Sequence, residues 1–157
     1  MEDLLLGIDV GTTAVKAALF SLDGQLVGVG NVAYPIHYVR PGWVEQQPQD
    51  WWNATCQAVQ GALEGVPQGA RRVAGLAVSS QAPALIALDE DGQPLRPALI
   101  WMDRRAEAEV QQLADHFGAD EIFRITGNRP DAYYVAAKLL WFKTHEPTLF
   151  ARTHQFV

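Results

Sequence analysis

Apolar and polar positions alternate from the start of the chain. In Leu4-Leu-Leu-Gly-Ile-Asp-Val10, residues Leu4, Leu6, Ile8 and Val10 fall on one face of an extended strand, and Leu5, Gly7 and Asp9 on the other. Val15 to Phe20 is too short for a stable isolated helix and has the composition of a strand. The two runs therefore predict a β-hairpin around Asp9-Val-Gly-Thr-Thr13. Asp23-Gly24 makes a second turn and Leu26 to Ala33 a third strand, which gives an antiparallel meander. Tyr34 to Gln49, with Pro35, Pro41, Gly42 and Pro48, reads as a long irregular connection. Its Trp43 and Val44 are expected to be buried against the sheet or to face a pocket.

Beyond this connection the period changes. Asp50 is placed to cap a helix whose apolar stripe is Trp52, Cys56, Val59 and Leu63, at spacings of four, three and four. Gly65, Pro67 and Gly69 end it, and the continuous apolar run Val73 to Val78 predicts a strand buried on both faces. Reached by way of a helix, that strand pairs most easily parallel to a central strand of the meander. It ends in Ser79-Ser-Gln-Ala-Pro-Ala84, at the carboxyl end where ligands of such sheets bind. Leu85 to Leu88 and Pro97 to Trp101 predict a second hairpin around Asp89-Glu-Asp-Gly92. A helix follows with Ala106, Val110, Leu113 and Phe117 as its buried stripe, for which Asp103 is either the N-cap or a ligand residue. Gly118 stops that helix, Asp120 to Ile125 forms a short helical turn, and Asn128 to Tyr133 is a loop. Tyr134 to Thr144 is helical, with Lys138 expected on a solvated face, and Pro147 opens a last short helix.

Bulk composition narrows the function classes. The 157 residues are 48% hydrophobic and 19% charged, which describes an ordinary folded domain. A net charge of -6 argues against general binding to nucleic acid, which needs a basic face. Cys56 is the only cysteine, so no intrachain disulfide forms, and its place in the helical stripe makes it core filling rather than a nucleophile. With no signal peptide and no membrane-length apolar run, the expected location is the cytoplasm, away from membranes.

The first turn has its own chemistry. Gly11 permits close approach to the main chain, Thr12 and Thr13 add hydroxyl donors, and Lys16 supplies a positive charge. Asp9 suits Mg²⁺ or its bound water, because hard cations take oxygen ligands. These parts fit the terminal phosphates of a nucleotide, while the same residues suit a plain hairpin turn equally well.

Several motifs in order carry a resemblance. Asp9-x-Gly-Thr-Thr13, Gly42-Trp-Val-Glu-Gln-x-Pro-x-x-Trp-Trp52, a strand ending in Gln81, Ile100-Trp-x-Asp-Arg-Arg105, Thr126-Gly127 and Lys138-x-x-Trp141 together resemble the FGGY carbohydrate kinases. The resemblance runs along essentially the whole chain. It implies an α/β, ribonuclease H-like (actin-like ATPase) fold, with a mixed sheet, the N-terminal three-strand meander and flanking helices. The implied activity is transfer of the γ-phosphoryl group of ATP, with Mg²⁺, to a sugar or polyol hydroxyl.

Carried over residue by residue, the phosphate motif falls on Gly11, Thr12, Thr13 and Lys16, with Asp9 as the metal-associated carboxylate. Gln81, Ala82, Trp101, Asp103 and Tyr133 correspond to substrate-side positions, and Arg104 and Arg105 to a basic pair of less defined role. Two departures stand out. Ala82-Pro83 replaces the Arg-Glu of glycerol kinases and the Met-His of xylulokinases, so the grip on hydroxyls there is weakened or comes from elsewhere, and Val135 replaces a usual Ser, Thr or Pro.

Family members have two such domains, and the resemblance places the general-base aspartate and the adenosine-binding segments beyond Val157. The expectation is therefore an incomplete N-terminal kinase domain over residues 1–157, lacking the C-terminal ATP-binding domain and inactive alone. A homodimer is left open. The competing readings are a non-catalytic sugar- or partner-binding module of the same fold and, more distantly, another actin-like ATPase.

Overall fold

The structure is a computed structural model that describes residues 3–157. In chain order its elements are β1 (Leu4–Val10), β2 (Ala14–Ser21), β3 (Leu26–Ala33), β4 (His37–Arg40), β5 (Trp43–Gln46), α1 (Pro48–Leu63), α2 (Gly69–Arg72) and β6 (Val73–Ser80). They continue as β7 (Ala87–Leu88), β8 (Ala98–Leu99), α3 (Glu107–Phe117), α4 (Ala119–Thr126), α5 (Val135–His145), α6 (Pro147–Arg152) and β9 (Gln155–Phe156). The chain divides into two compact units: the residues up to Ile36 with Gln49–Gln81, and His37–Pro48 with Ala82–Val157.

In the first unit the meander forms as its alternation predicts. The sheet order is β3-β2-β1-β6, with antiparallel neighbours except the parallel pair β1 and β6. Leu4, Leu6 and Ile8 of β1 and Val15, Ala17 and Leu19 of β2 are buried against α1. The helix is turned from the expected orientation: Val59 and Leu63 of the expected stripe pack against this core only partly buried, while the stripe's first residue points away. Trp52 is 64% exposed, and the buried positions are Ala54, Ala58 and Ala62. The cause lies in β3, where a methyl group on Gly28 or Gly30 would overlap the carbonyl oxygens of Ala62 and Ala58. Helix and sheet approach so closely that only the smallest side chains fit between them. Pro48 starts α1, so Asp50 lies within the first turn rather than at the cap.

The strand β6 also departs from expectation. It lies at the edge of the sheet, and Leu76 and Val78 are 59% and 60% exposed rather than enclosed on both faces. The alanine face of α1 covers the three meander strands and reaches only as far as Val73 of β6.

In the second unit the segment expected to be irregular contains a hairpin. Strands β4 and β5 turn at Pro41-Gly42, where Gly42 has φ +78°, and β5 continues the sheet to β8. Val44 is buried and Trp43 half-buried. The second expected hairpin keeps its Leu85–Leu99 hydrogen bonds in both directions, but its strands diverge, with β7 pairing to β9. Leu85, Leu99, Ala106, Ala137, Trp141 and Phe142 form this unit's core. Ala106, not Asp103, occupies the N-cap position of α3, and Phe117 at its other end is exposed.

Candidate functional site

Residues singled out in the sequence fall into two groups, one in each unit. In the first unit, Asp9 ends β1 between two cross-strand neighbours, Lys16 of β2 and Ser79 of β6. All three side chains are exposed, and among the described residues neither Asp9 nor Lys16 forms an ion pair. Gly7, Ala18 and Ala77 continue the same face, and these small residues leave an open groove of about 360 Å³ beside the charged pair. Ser79 begins the segment singled out at the carboxyl end of the strand, but its place beside Asp9 and the small-residue floor were not evident from the sequence. Their signal is strand register, which sets Ser79 opposite Asp9, and Ala18 and Ala77 opposite Gly7.

The turn beyond Asp9 is tightly tied. The Gly11 N–H donates to the Ala14 carbonyl at 3.0 Å, and a Cβ on Gly11 would meet that same oxygen at 3.2 Å. Close approach therefore accounts for this glycine, which is not among those with positive φ. Tyr34 clamps the turn from outside: its N–H donates to the Thr13 carbonyl and its hydroxyl to the Gly11 carbonyl. Burial pushes the Tyr34 phenol above its ordinary pKa, and the Asp9 carboxylate adds to the rise. The phenol thus stays protonated and keeps donating. The Gln81 N–H donates to the Val10 carbonyl at 2.8 Å, which holds the end of β6 beside the turn.

In the second unit, the structure brings Ala82, Trp101 and Tyr133 together. The Tyr133 hydroxyl donates to the Ala82 carbonyl at 2.8 Å, and its ring lies 6.3 Å from that of Trp101, tilted by 58°. The peptide bond between Ala82 and Pro83 is cis. Asp131 accepts from the Tyr133 N–H at 2.7 Å and pairs with Arg104. Burial opposes ionisation of Asp131, but the Tyr133 N–H and the Arg104 guanidinium outweigh it and hold the carboxyl below its ordinary range. Arg104 is held above its own ordinary value chiefly by the bond to Asp131.

Asp103 sits apart from that open surface. Its carboxylate is fully buried and accepts from the Val44 N–H at 2.7 Å, from the Arg105 N–H at 3.1 Å, and from the Arg105 guanidinium at 2.8 to 3.0 Å. In this arrangement it has no face open to a sugar hydroxyl, contrary to the direct contact the resemblance implies for it. Arg105 also pairs with Glu45 at 2.7 Å and lies 3.9 Å from the Trp43 ring centre and 4.9 Å from that of Trp141. Glu45 accepts from Arg96 as well, and Arg96 also bonds Glu146. The basic residue of the motif is therefore a buried strut between β5 and the segment after β8.

Sequence reasoning also misplaced Lys138. It is fully buried, and its Nζ donates to the Tyr133 carbonyl at 2.8 Å. Burial lowers its pKa to about 8, partly countered by Asp103 and Asp131. Its neighbours on α5, Ala137, Trp141 and Phe142, are all core residues, and that was the available signal.

Comparison with known proteins gives a consistent result. Residues 4–157 match the family model described as "FGGY family of carbohydrate kinases, N-terminal domain". A glycerol kinase of Thermococcus gammatolerans is 37% identical over 149 residues, covering 95% of this chain and 30% of that protein. A xylulose kinase of Klebsiella pneumoniae is 38% identical over 149 residues, with the same two coverages, 95% and 30%. Among solved structures, the xylulose kinase of Rhodospirillum rubrum superposes with a TM-score of 0.93 at 29% identity, over 98% of this chain and 31% of that one. The chain thus spans about 30% of the length of the curated relatives it matches.

Proposed function

We propose, from the premise that the chain belongs to the FGGY family of carbohydrate kinases, that it serves in ATP-dependent phosphorylation of a sugar or polyol hydroxyl. Its part is the acceptor side of the site and the first phosphate-binding turn. The observation that carries this reading is the exposed, unbridged pair Asp9 and Lys16 on an open floor of small residues beside a clamped turn.

The residues present fit Mg²⁺ and the nucleotide's phosphates. When bound, Mg-ATP supplies the phosphoryl group and a divalent charge that offsets the negative charge of transfer. Asp9 offers a hard oxygen ligand, and Lys16 lies across the strand pair with a compensating positive charge. Among the described residues no group of three or more His, Cys, Asp or Glu could hold a metal, so Asp9 would share the ion with phosphate oxygens and water. Thr12 and Thr13 bring hydroxyls to the turn, and Gly11 keeps its backbone close to whatever binds there.

On the acceptor side, Trp101 offers an aromatic face for the carbon face of a sugar, with Tyr133 and Ala82 alongside. Asp103 acts one step back, holding Arg105 and the backbone of β5 rather than the substrate itself. The acceptor hydroxyl also needs a base, worth about 10²–10⁴-fold. We assign that base and the adenosine pocket to the portion of the relatives' length that this chain does not span.

The test is Asp9→Asn in the protein at its full natural length. Turnover with Mg-ATP is expected to fall by about 10²–10³-fold, the scale of one charge-directing group. Unchanged turnover in a folded variant refutes the metal role.

A further inference from the structure

Lys138 is among the largest fully buried side chains of the described residues, and packing gives no reason for it to be a lysine. It lies on α5 among Ala137, Trp141 and Phe142, where a leucine or methionine would complete the core without taking an ammonium group out of water. Its one hydrogen bond among the described residues runs backwards, out of the helix, to the carbonyl of Tyr133 at 2.8 Å. That carbonyl lies just before the Tyr134 N-cap, and no capping side chain serves this helix start. The charged groups around the ammonium are Asp103 and Asp131, which attract it, and Arg104 and Arg105, which repel it.

Tyr133 is thereby gripped at three points. Its N–H donates to Asp131 at 2.7 Å, its carbonyl accepts from Lys138 at 2.8 Å, and its hydroxyl donates to Ala82 at 2.8 Å. Its ring is set against Tyr134 at 5.0 Å and Trp101 at 6.3 Å. Without Lys138 the backbone of the loop Asn128 to Tyr133 would lose this hydrogen bond to a buried side chain of α5, and the ring would gain freedom relative to Trp101.

We propose that Lys138 is a positioning residue for sugar binding, fixing the Tyr133 carbonyl and so the Tyr133 ring against Trp101. The proposal rests on the kinase reading above. It concerns the acceptor side alone and predicts that sugar and nucleotide constants separate.

The test compares Lys138→Met, which keeps the length and loses the donor, with Lys138→Arg, which keeps a donor, in the full-length enzyme. Lys138→Met is expected to raise the sugar KM about tenfold or more, the usual effect of losing a charge-assisted hydrogen bond. The Mg-ATP KM should stay within about twofold, and Lys138→Arg should recover most of the sugar affinity. Sugar and nucleotide constants moving together, or an unchanged sugar KM, overturns the proposal. If Lys138→Met does not fold, Lys138→Gln carries the same comparison. If the wild type phosphorylates no sugar, it is the kinase reading that fails. Hydrogen exchange at residues 128–134 of this chain then decides about Lys138: about tenfold faster exchange in the Met variant supports the tie, and unchanged exchange refutes it.

Discussion

Replacing Asp103 by Asn separates a structural carboxylate from a substrate ligand. The native carboxylate accepts one bond from β5, at 2.7 Å from the Val44 N–H, and several from Arg105, whose side chain is itself 0% exposed. The amide would keep one acceptor oxygen but turn an NH₂ group towards a guanidinium. Arg105 would then have Glu45 alone as a compensating charge, and Glu45 is already shared with Arg96. Breaking a buried pair by removing one partner costs about 3–5 kcal/mol, because it leaves an uncompensated charge. Since Glu45 remains in reach, the lower end applies, about 3 kcal/mol. For a chain of this size that lowers Tm by about 6–12 °C. Urea unfolding followed by the fluorescence of Trp43 and Trp141, which flank Arg105, reads the loss directly. A loss below about 1 kcal/mol would refute the buried-strut account. If stability held while the sugar KM rose, Asp103 would touch the substrate after all.

Three further outcomes follow from the same geometry. Gly30→Val would drive a side chain into the Ala58 carbonyl and should cost about 3 kcal/mol or more, seen as a lower urea midpoint. Gly7→Val is the converse: a Cβ there meets nothing within 4 Å, so the fold should hold its Tm, but the groove beside Asp9 and Lys16 narrows and the Mg-ATP KM should rise severalfold. Lys138 gives a pH signature with a definite sign. Its pKa is lowered from 10.5 to about 8 on folding, so the unfolded chain binds more protons between those values and stability should rise as pH climbs through that window. Urea midpoints of wild type minus Lys138→Met across pH 7 to about 11 isolate this term, and a flat difference refutes the buried ammonium.

Much of the first unit was legible because a two-residue period has one physical meaning over seven or eight residues. The meander and its turn follow from it. The phase of α1 does not, because large apolar residues mark a buried face only where the partner surface leaves room. Gly28 and Gly30 remove that room, so alanines go inside and Trp52 outside. Strand β5 was hidden for another reason: Glu45 and Gln46 read as loop residues, and the burial of Glu45 makes sense only with Arg96 and Arg105, some 50 to 60 positions along the chain. The same holds for Lys138, whose charge reads as surface until its helix neighbours are seen in the core. At the candidate site, the motif marked Asp9 and Lys16 and the strand end marked Ser79, and the sheet register set them side by side and added the open floor.

The most direct test of the central claim is phosphoryl transfer itself. The full-length protein would be incubated with Mg-ATP and a panel of glycerol, pentuloses and sugar acids, and the products followed by phosphorus NMR. The account predicts a phosphate ester on at least one neutral sugar or polyol, with product formation reduced about 10²–10³-fold by Asp9→Asn. A folded protein that binds Mg-ATP but forms no ester on any of these acceptors, or an Asp9→Asn variant with full turnover, would contradict it.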